Sequence, residues 1–147
     1  MKTTLNQIRA HRPCLEGWEK LLRGLNKTQP DDEIIWIDEV LDHNGLDDAL
    51  WCLRSVEGCD REIRLFAVRC ARRVQHLMTD PRTVAALDVA ERFARGEASD
   101  EELEAARGLA YSSWHAKIRL GETAYGPAAY AAAYGAAAYG AAAYAAA

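Results

Sequence analysis

The side chains best suited to recognise a partner are the arginines of residues 60–78, DREIRLFAVRCARRVQHLM. At about 100° per residue, one side of this segment carries a basic face made of Arg61, Arg64, Arg69, Arg72, Arg73 and His76. A guanidinium fork binds phosphate and carboxylate groups through paired hydrogen bonds. The basic face therefore suits nucleic acid, a nucleotide or a carboxylate-rich protein. The alternative, which we favour, is that these arginines pair with the chain's own acids or are solvated.

Aromatic side chains form the second candidate set, because tryptophan and tyrosine anchor many protein interfaces. Trp18 and Trp114 fit the apolar stripes of their helices and are interpreted as core residues. Trp36 and Trp51 fall off their stripes, or at the edge, and are the better interface candidates. Further candidates are the tail tyrosines Tyr130, Tyr134 and Tyr139. These tyrosines could contact the chain's own body, a second copy in a homodimer, or a partner.

Catalytic and metal-binding patterns are missing from the sequence. No histidine stands at an i, i+4 spacing with another histidine or a cysteine, and no two cysteines form CxxC. A Ser–His–Asp set, a glycine-rich phosphate loop and an EF-hand spacing are also missing. We therefore expect no catalytic residues, no metal and no cofactor. Cys52 and Cys70 lie in helical patterns, where a free thiol fills apolar space, and we expect a reducing, cytosolic protein.

Runs of acidic residues at 31–33, 38–39, 47–48 and 100–102 could hold a cation or mimic the charge of nucleic acid. Most of them coincide with predicted helix starts, where carboxylates stabilise the amino-terminal end of the helix dipole. We therefore interpret these runs as structural.

The element that positions the basic face is an amphipathic helix over 60–78. Its opposite side carries apolar residues at i, i+3, i+4 and i+7 spacing, a helical period. They are Ile63, Ala67, Cys70, Ala71, Val74 and Leu77. Shorter helices flank it, with starts at Thr4, at Asp80-Pro81 and at a Ser99/Glu102 capping box, and with stops at Gly45 and Gly96. We predict an all-α bundle of about six or seven short helices in antiparallel hairpins.

Residues 34–37 are ambiguous. The apolar run IIWI suits a short buried strand, whereas Ile34, Ile37 and Leu41 share a helical face. We predict helix here, because no partner strand is visible elsewhere in the sequence. The expected organisation is a helical domain over 1–121 and an Ala/Tyr/Gly low-complexity, partly helical tail over 122–147.

The net charge of −4 is mild, whereas a general nucleic-acid binder usually carries a basic excess. The amino terminus MKTTLNQIRA lacks the apolar core of a signal peptide. Apart from the alanine-rich tail, no stretch approaches the roughly 20 apolar residues of a membrane span. We therefore expect no membrane association and rank nucleic acid below protein as a partner.

The chain resembles a group of small bacterial and phage α-helical proteins, some of them labelled immunity proteins. The resemblance runs from NGLDDALWCLRSVEG through ALDVAERFARGEASDEELEAARGLA into the alanine-rich tail, thus from residue 44 onward. The tail aromatic here is tyrosine, where that group carries tryptophan. The resemblance implies a non-enzymatic inhibitor that binds and neutralises another protein, a toxin or a defence component.

Overall fold

The computed structural model describes residues 1–78 and 80–119, the last seven of these by their backbone alone. The predicted tail, 122–147, lies outside the described residues. The chain divides into two compact units, Met1–Cys59 and Asp60–Ala147, and each is described by itself. The described part contains seven α-helices and one small two-stranded sheet, which confirms the all-α prediction. No helix in this part combines the length and apolar character needed to cross a bilayer.

The first unit begins with a short strand and contains four helices. Its elements are β1 (Lys2–Thr4), α1 (Leu5–Ala10), α2 (Leu15–Gly24), β2 (Ile34–Trp36), α3 (Ile37–Asn44) and α4 (Leu46–Cys52), followed by a 3-10 turn at Leu53–Ser55. The hydroxyl of Thr4 accepts a hydrogen bond from the Gln7 N–H at 3.1 Å, so the predicted cap of α1 is confirmed. Gly45 ends α3 with a φ of +93°, a conformation that glycine adopts without strain.

β1 and β2 form an antiparallel ribbon in which Lys2 lies opposite Trp36 and Thr4 opposite Ile34. The helix predicted for 34–37 is therefore wrong over 34–36, and α3 begins only at Ile37. The partner strand is three residues long and lies at the amino terminus, so it is too short to show a strand pattern. A backbone pairing across such a distance leaves no trace in local periodicity.

Buried residues of the first unit gather beneath this ribbon and between its helices. They are Leu5, Ile8, Leu21, Ile35, Val40, Ala49 and Cys52. Thr3 points inward, and its Oγ1 lies 2.9 Å from both the carbonyl oxygen and the hydroxyl of Ser55. The ribbon is therefore fixed to the 3-10 turn as well as to the core.

The described part of the second unit contains three helices. They are α5 (Asp60–Arg73), α6 (Pro81–Ala94) and α7 (Asp100–Arg119), with a 3-10 turn at Gln75–Leu77. The predicted starts of α6 and α7 are confirmed. The Asp80 carboxylate accepts from the Arg82 N–H at 2.9 Å, and Ser99 and Glu102 accept from each other's N–H at 3.2 and 3.0 Å. The helix predicted for 60–78 is too long, because α5 ends at Arg73.

The buried side of α5 differs from the predicted apolar stripe. Ile63 and Ala71 are buried as expected, but Cys70 is exposed, while Arg64 and Val68 are buried. The core they join consists of Val68, Ala71, Met78, Leu87, Ala90 and Leu103. Apolar residues occur on both sides of α5, so periodicity alone left its orientation undecided. Contacts with α6 select the side that is buried.

Candidate functional site

Arg72 belongs to the predicted basic face, but its guanidinium forms hydrogen bonds with other residues of the second unit. Its Nη2 donates to Asp88 Oδ1 at 2.6 Å and to Glu91 Oε2 at 2.9 Å, and its Nη1 donates to Gln75 Oε1 at 2.9 Å. The hydrogen bond to Asp88, followed by that to Glu91, raises the pKa of Arg72 against the opposing effect of burial. Arg72 therefore joins α5 to α6.

Arg64 also belongs to the predicted basic face, but it is buried, with only 8% of its surface exposed. Its guanidinium carbon lies 4.4 Å from the ring centroid of Phe93. The buried Nε has no hydrogen-bond partner among the residues that the structure describes. Desolvation lowers the pKa of Arg64, while the charges of Asp60 and Asp100 raise it. The placement of Arg64 among the exposed candidates was therefore wrong, and the residue belongs to the packing of α5.

The rest of the predicted basic face is exposed. Arg61, Arg69, Arg73 and His76 are solvent-accessible and form no ion pair within residues 1–78 and 80–119. The face that remains is thus smaller than predicted, with three arginines and one histidine on the open side of α5 and the turn after it.

Trp51 already has a partner within the first unit. The guanidinium carbon of Arg54 lies 4.3 Å from the Trp51 ring centroid, and Arg54 Nε donates to the Trp51 carbonyl oxygen at 2.9 Å. Its proposed interface role stays a prediction. The other aromatic candidates, Tyr130, Tyr134 and Tyr139, lie outside the described residues.

Trp36 is the aromatic candidate that the structure leaves most open. Successive side chains of a strand point to opposite faces, and β2 follows this rule. Ile35 points inward and is 3% exposed, whereas Ile34 and Trp36 point outward and are 54% and 51% exposed. Two large apolar side chains therefore share the outward face of the ribbon.

The segment that contains these two residues is strongly acidic. Residues 31–48 hold eight Asp and Glu and no Lys or Arg, and we call them the acidic–apolar segment. Its exposed carboxylates are Asp32, Glu33, Asp38, Asp42 and Asp47. Leu41 and Leu46 add exposed apolar surface to the same segment. With eleven acidic and seven basic residues, Met1–Cys59 carries the whole net charge of −4.

A lysine clamp holds the start of this segment in place. Lys27 Nζ donates to Asp31 Oδ2 at 2.7 Å and to Glu33 Oε2 at 2.6 Å. The Asp31 carbonyl oxygen accepts from the Asn6 N–H at 3.1 Å. The hydrogen bond from Lys27 lowers the pKa of Asp31, and so does the one from the Glu33 N–H. The chain therefore enters β2 along a fixed path.

Our sequence interpretation treated the acidic runs as helix starts. The runs at 38–39, 47–48 and 100–102 do lie in first turns of helices. The run at 31–33 instead precedes β2, which contradicts that interpretation for this run. The sequence alone shows eight carboxylates and no Lys or Arg in residues 31–48. Whether this stretch can form an interface depends on the exposure of Ile34 and Trp36.

Within the described ranges, no three His, Cys, Asp or Glu side chains gather as they would around a metal ion. A comparison of the chain with protein-family models, curated proteins and solved structures returned no significant match.

Proposed function

We propose that this chain is a non-enzymatic, protein-binding inhibitor of the immunity type, which neutralises a basic partner protein through its acidic–apolar segment. The observation that carries this proposal is the exposure of Ile34 and Trp36 on the outward face of an anchored ribbon. Neighbouring exposed apolar side chains, especially with polar residues around them, mark interaction sites on many proteins.

The charge around these residues indicates the kind of partner. Interfaces commonly place an apolar, aromatic-rich centre inside a polar rim. Here the exposed carboxylates of the acidic–apolar segment supply a negatively charged rim for the interface. Complementary charge accelerates association and selects among partners, so the expected partner has a basic surface with an apolar recess. The resemblance to bacterial and phage immunity proteins points to the same class, with a toxin or defence component as the target.

The proposal can be tested by affinity capture from a nuclease-treated lysate of the cell that carries the gene. We expect the wild-type chain to retain one basic protein in stoichiometric amount. Replacing Trp36 and Ile34 by serine should abolish retention, because losing one aromatic hot spot typically costs about 2 kcal/mol or more, roughly thirtyfold in Kd.

Phe66→Ser is the matched control, since Phe66 is 45% exposed but lies in the second unit. Equal retention by wild type and the Trp36/Ile34 variant would refute the proposal, as would the lack of any stoichiometric partner.

A second candidate function is binding of nucleic acid or a nucleotide. The observation that favours it is the part of the basic face that stays exposed. Arg61, Arg69 and Arg73 could each contact a phosphate, and such contacts release counterions, so affinity should fall steeply with salt. Fluorescence anisotropy with DNA and RNA oligonucleotides tests this directly. Binding that is salt-insensitive, or unchanged when the three arginines become glutamine, would remove this candidate.

A further inference from the structure

A pocket of about 170 Å³ lies in the first unit, beside α2 and α4, away from Ile34 and Trp36. Trp18, Trp51, Asn44 and Asp48 contribute to its wall, and most of the wall is apolar. An apolar cavity of about 150 Å³ can hold a benzene ring. The pocket is therefore large enough for one small organic molecule.

The close packing of α2 shapes one side of this pocket. A Cβ on Gly17 would stand 2.9 Å from Asp48 Oδ2 and 3.2 Å from Cys14 Sγ. Asn44 Nδ2 donates to the Gly17 carbonyl oxygen at 2.8 Å and to Asp48 Oδ2 at 2.7 Å. Both of these partners are acceptors, so they fix the orientation of the Asn44 amide. Asp48 is thereby held in one position in the wall.

The charge of the pocket favours a cation. Asp48 is the one carboxylate among the residues of the wall, and no Lys, Arg or His joins it. Its second oxygen accepts no hydrogen bond from the described part of the chain. Arg54 and Lys20 contact Trp51 and the Asn44 carbonyl oxygen, but neither contributes to the wall. The Asp48 carboxylate therefore retains acceptor capacity for a bound cation.

The two tryptophans add a second attraction for the same kind of ligand. The face of an indole ring attracts cations through its quadrupole, and the effect strengthens when water is excluded. Trp51 holds the Arg54 guanidinium 4.3 Å from its ring centroid, so this indole already attracts one cation. Trp18 offers a further indole surface in the pocket.

We propose that this pocket binds a small organic ammonium ion, with its charge at Asp48 and its hydrocarbon body against Trp18 and Trp51. The proposal does not need Ile34 or Trp36, which do not contribute to the wall. Asn44 and Asp48 do belong to the acidic–apolar segment, but probe binding is measured without a protein partner, so the two proposals can fail separately.

The first experiment compares two probes of similar size, benzylammonium and benzyl alcohol, by calorimetric titration of the full chain. We expect benzylammonium to bind at least tenfold more tightly, since only the ammonium gains from Asp48 and the indole faces. Equal binding would overturn the proposal and leave an ordinary apolar cavity. No binding of benzylammonium would also overturn it. Neither outcome depends on a variant, so folding defects cannot mask the result.

The second experiment locates the bound probe through the cysteines. Cys14 is exposed and belongs to the pocket wall, whereas the exposed Cys70 lies in the second unit. Saturating benzylammonium should slow alkylation of Cys14 by iodoacetamide at least threefold and leave Cys70 unchanged, as read by peptide mass spectrometry. Protection of neither thiol, or of both, would place the probe elsewhere and overturn the proposal.

The third experiment removes the charge of Asp48. Asp48→Asn keeps the shape of the side chain, and we expect it to weaken benzylammonium binding at least tenfold while leaving benzyl alcohol unaffected. Asp42→Asn, an exposed carboxylate of α3 outside the pocket, is the matched control and should change neither affinity. A similar loss in both variants, or in neither, would contradict the role of Asp48.

Discussion

The imidazole of His43 in α3 lies directly against Gly24, the last residue of α2. A Cβ on Gly24 would stand 2.6 Å from His43 Cγ and 2.8 Å from His43 Cβ. Real Cβ atoms do not approach other atoms this closely, and the His43 Cβ cannot be moved by side-chain rotation. The two helices therefore meet at a residue that must lack a side chain.

Gly24→Ala should consequently destabilise the protein, although alanine is the better helix former. Forcing an extra methyl group into a packed contact typically costs about 1–3 kcal/mol, and urea unfolding followed by circular dichroism measures the loss. Gly108→Ala is the control, because no atom of the described residues lies within 4 Å of its Cβ position in α7. That variant should gain about 0.5–1 kcal/mol from helix propensity alone. A stabilised Gly24→Ala protein would show that α2 and α3 are not packed as described.

Arg64 should be replaceable by an apolar residue of similar length. Its Nε is buried without a hydrogen bond from the described part of the chain, and its stem lies on the buried side of α5. Arg64→Met removes the desolvation cost and keeps most of the contacts, so we expect stability within about 1 kcal/mol of wild type or higher. Arg64→Ala should lose about 2–3 kcal/mol, because it leaves a cavity beside Phe93. Urea denaturation distinguishes the two variants.

The control for Arg64 is Arg69→Met on the exposed side of the same helix, which should change stability by less than about 0.5 kcal/mol. If Arg64→Met were as damaging as Arg64→Ala, the charge of Arg64 rather than its packing would be the stabilising feature.

Cys52 should resist thiol reagents in the folded protein. Burial, and to a smaller extent the charge of Asp48, raises the pKa of its thiol to about 12. Only the thiolate reacts with alkylating reagents, so the reactive fraction of Cys52 at neutral pH is very small. We expect iodoacetamide to label the exposed Cys14 and Cys70 first and to reach Cys52 only after unfolding in urea. Labelling of Cys52 at the rate of Cys14 in native buffer would contradict its burial.

The Lys27 clamp should be visible in the titration of Asp31. The folded pKa of Asp31 is lowered from 3.8, so the unfolded chain binds a proton at this carboxyl more readily. The stabilisation is therefore present above the unfolded pKa and is lost as the pH falls through the folded pKa. Carbon-13 NMR should report a value below 3.8 in wild type.

Lys27→Met should raise the pKa of Asp31 toward its ordinary value, since the hydrogen bond from Lys27 is the main cause of the shift. Lys20→Met, whose lysine donates to the Asn44 carbonyl oxygen instead, should leave the titration of Asp31 unchanged. Identical Asp31 titrations in wild type and Lys27→Met would rule out the clamp.

Several helix boundaries could be predicted from the sequence because they depend on neighbouring residues. The cap at Thr4, the Asp80-Pro81 start and the reciprocal bonds of Ser99 and Glu102 each join groups two or three residues apart. Such contacts form whenever the local chain turns into a helix, whatever packs against it. The stop at Gly45 has the same local origin, because φ is positive there.

The candidate site could be predicted only in part. Trp36 was identified from its position off the helical stripe, although the segment proved to be a strand. The helical plot left open whether the basic face is exposed, and the structure shows Arg61, Arg69 and Arg73 exposed but Arg64 buried. A helical plot shows which residues share a face, but it does not show which face a neighbouring helix will cover.

The helical class, the capped starts of α1, α6 and α7 and the acidity of residues 31–48 could be predicted, because composition and hydrogen bonds between neighbouring residues specify them. The pairing of β1 with β2, the burial of Arg64 and the exposure of Ile34 and Trp36 became apparent only in the folded chain. They could not be predicted because burial results from contacts between segments distant in the chain. Several orientations of an element with apolar residues on both sides satisfy the same local pattern, and packing selects one of them.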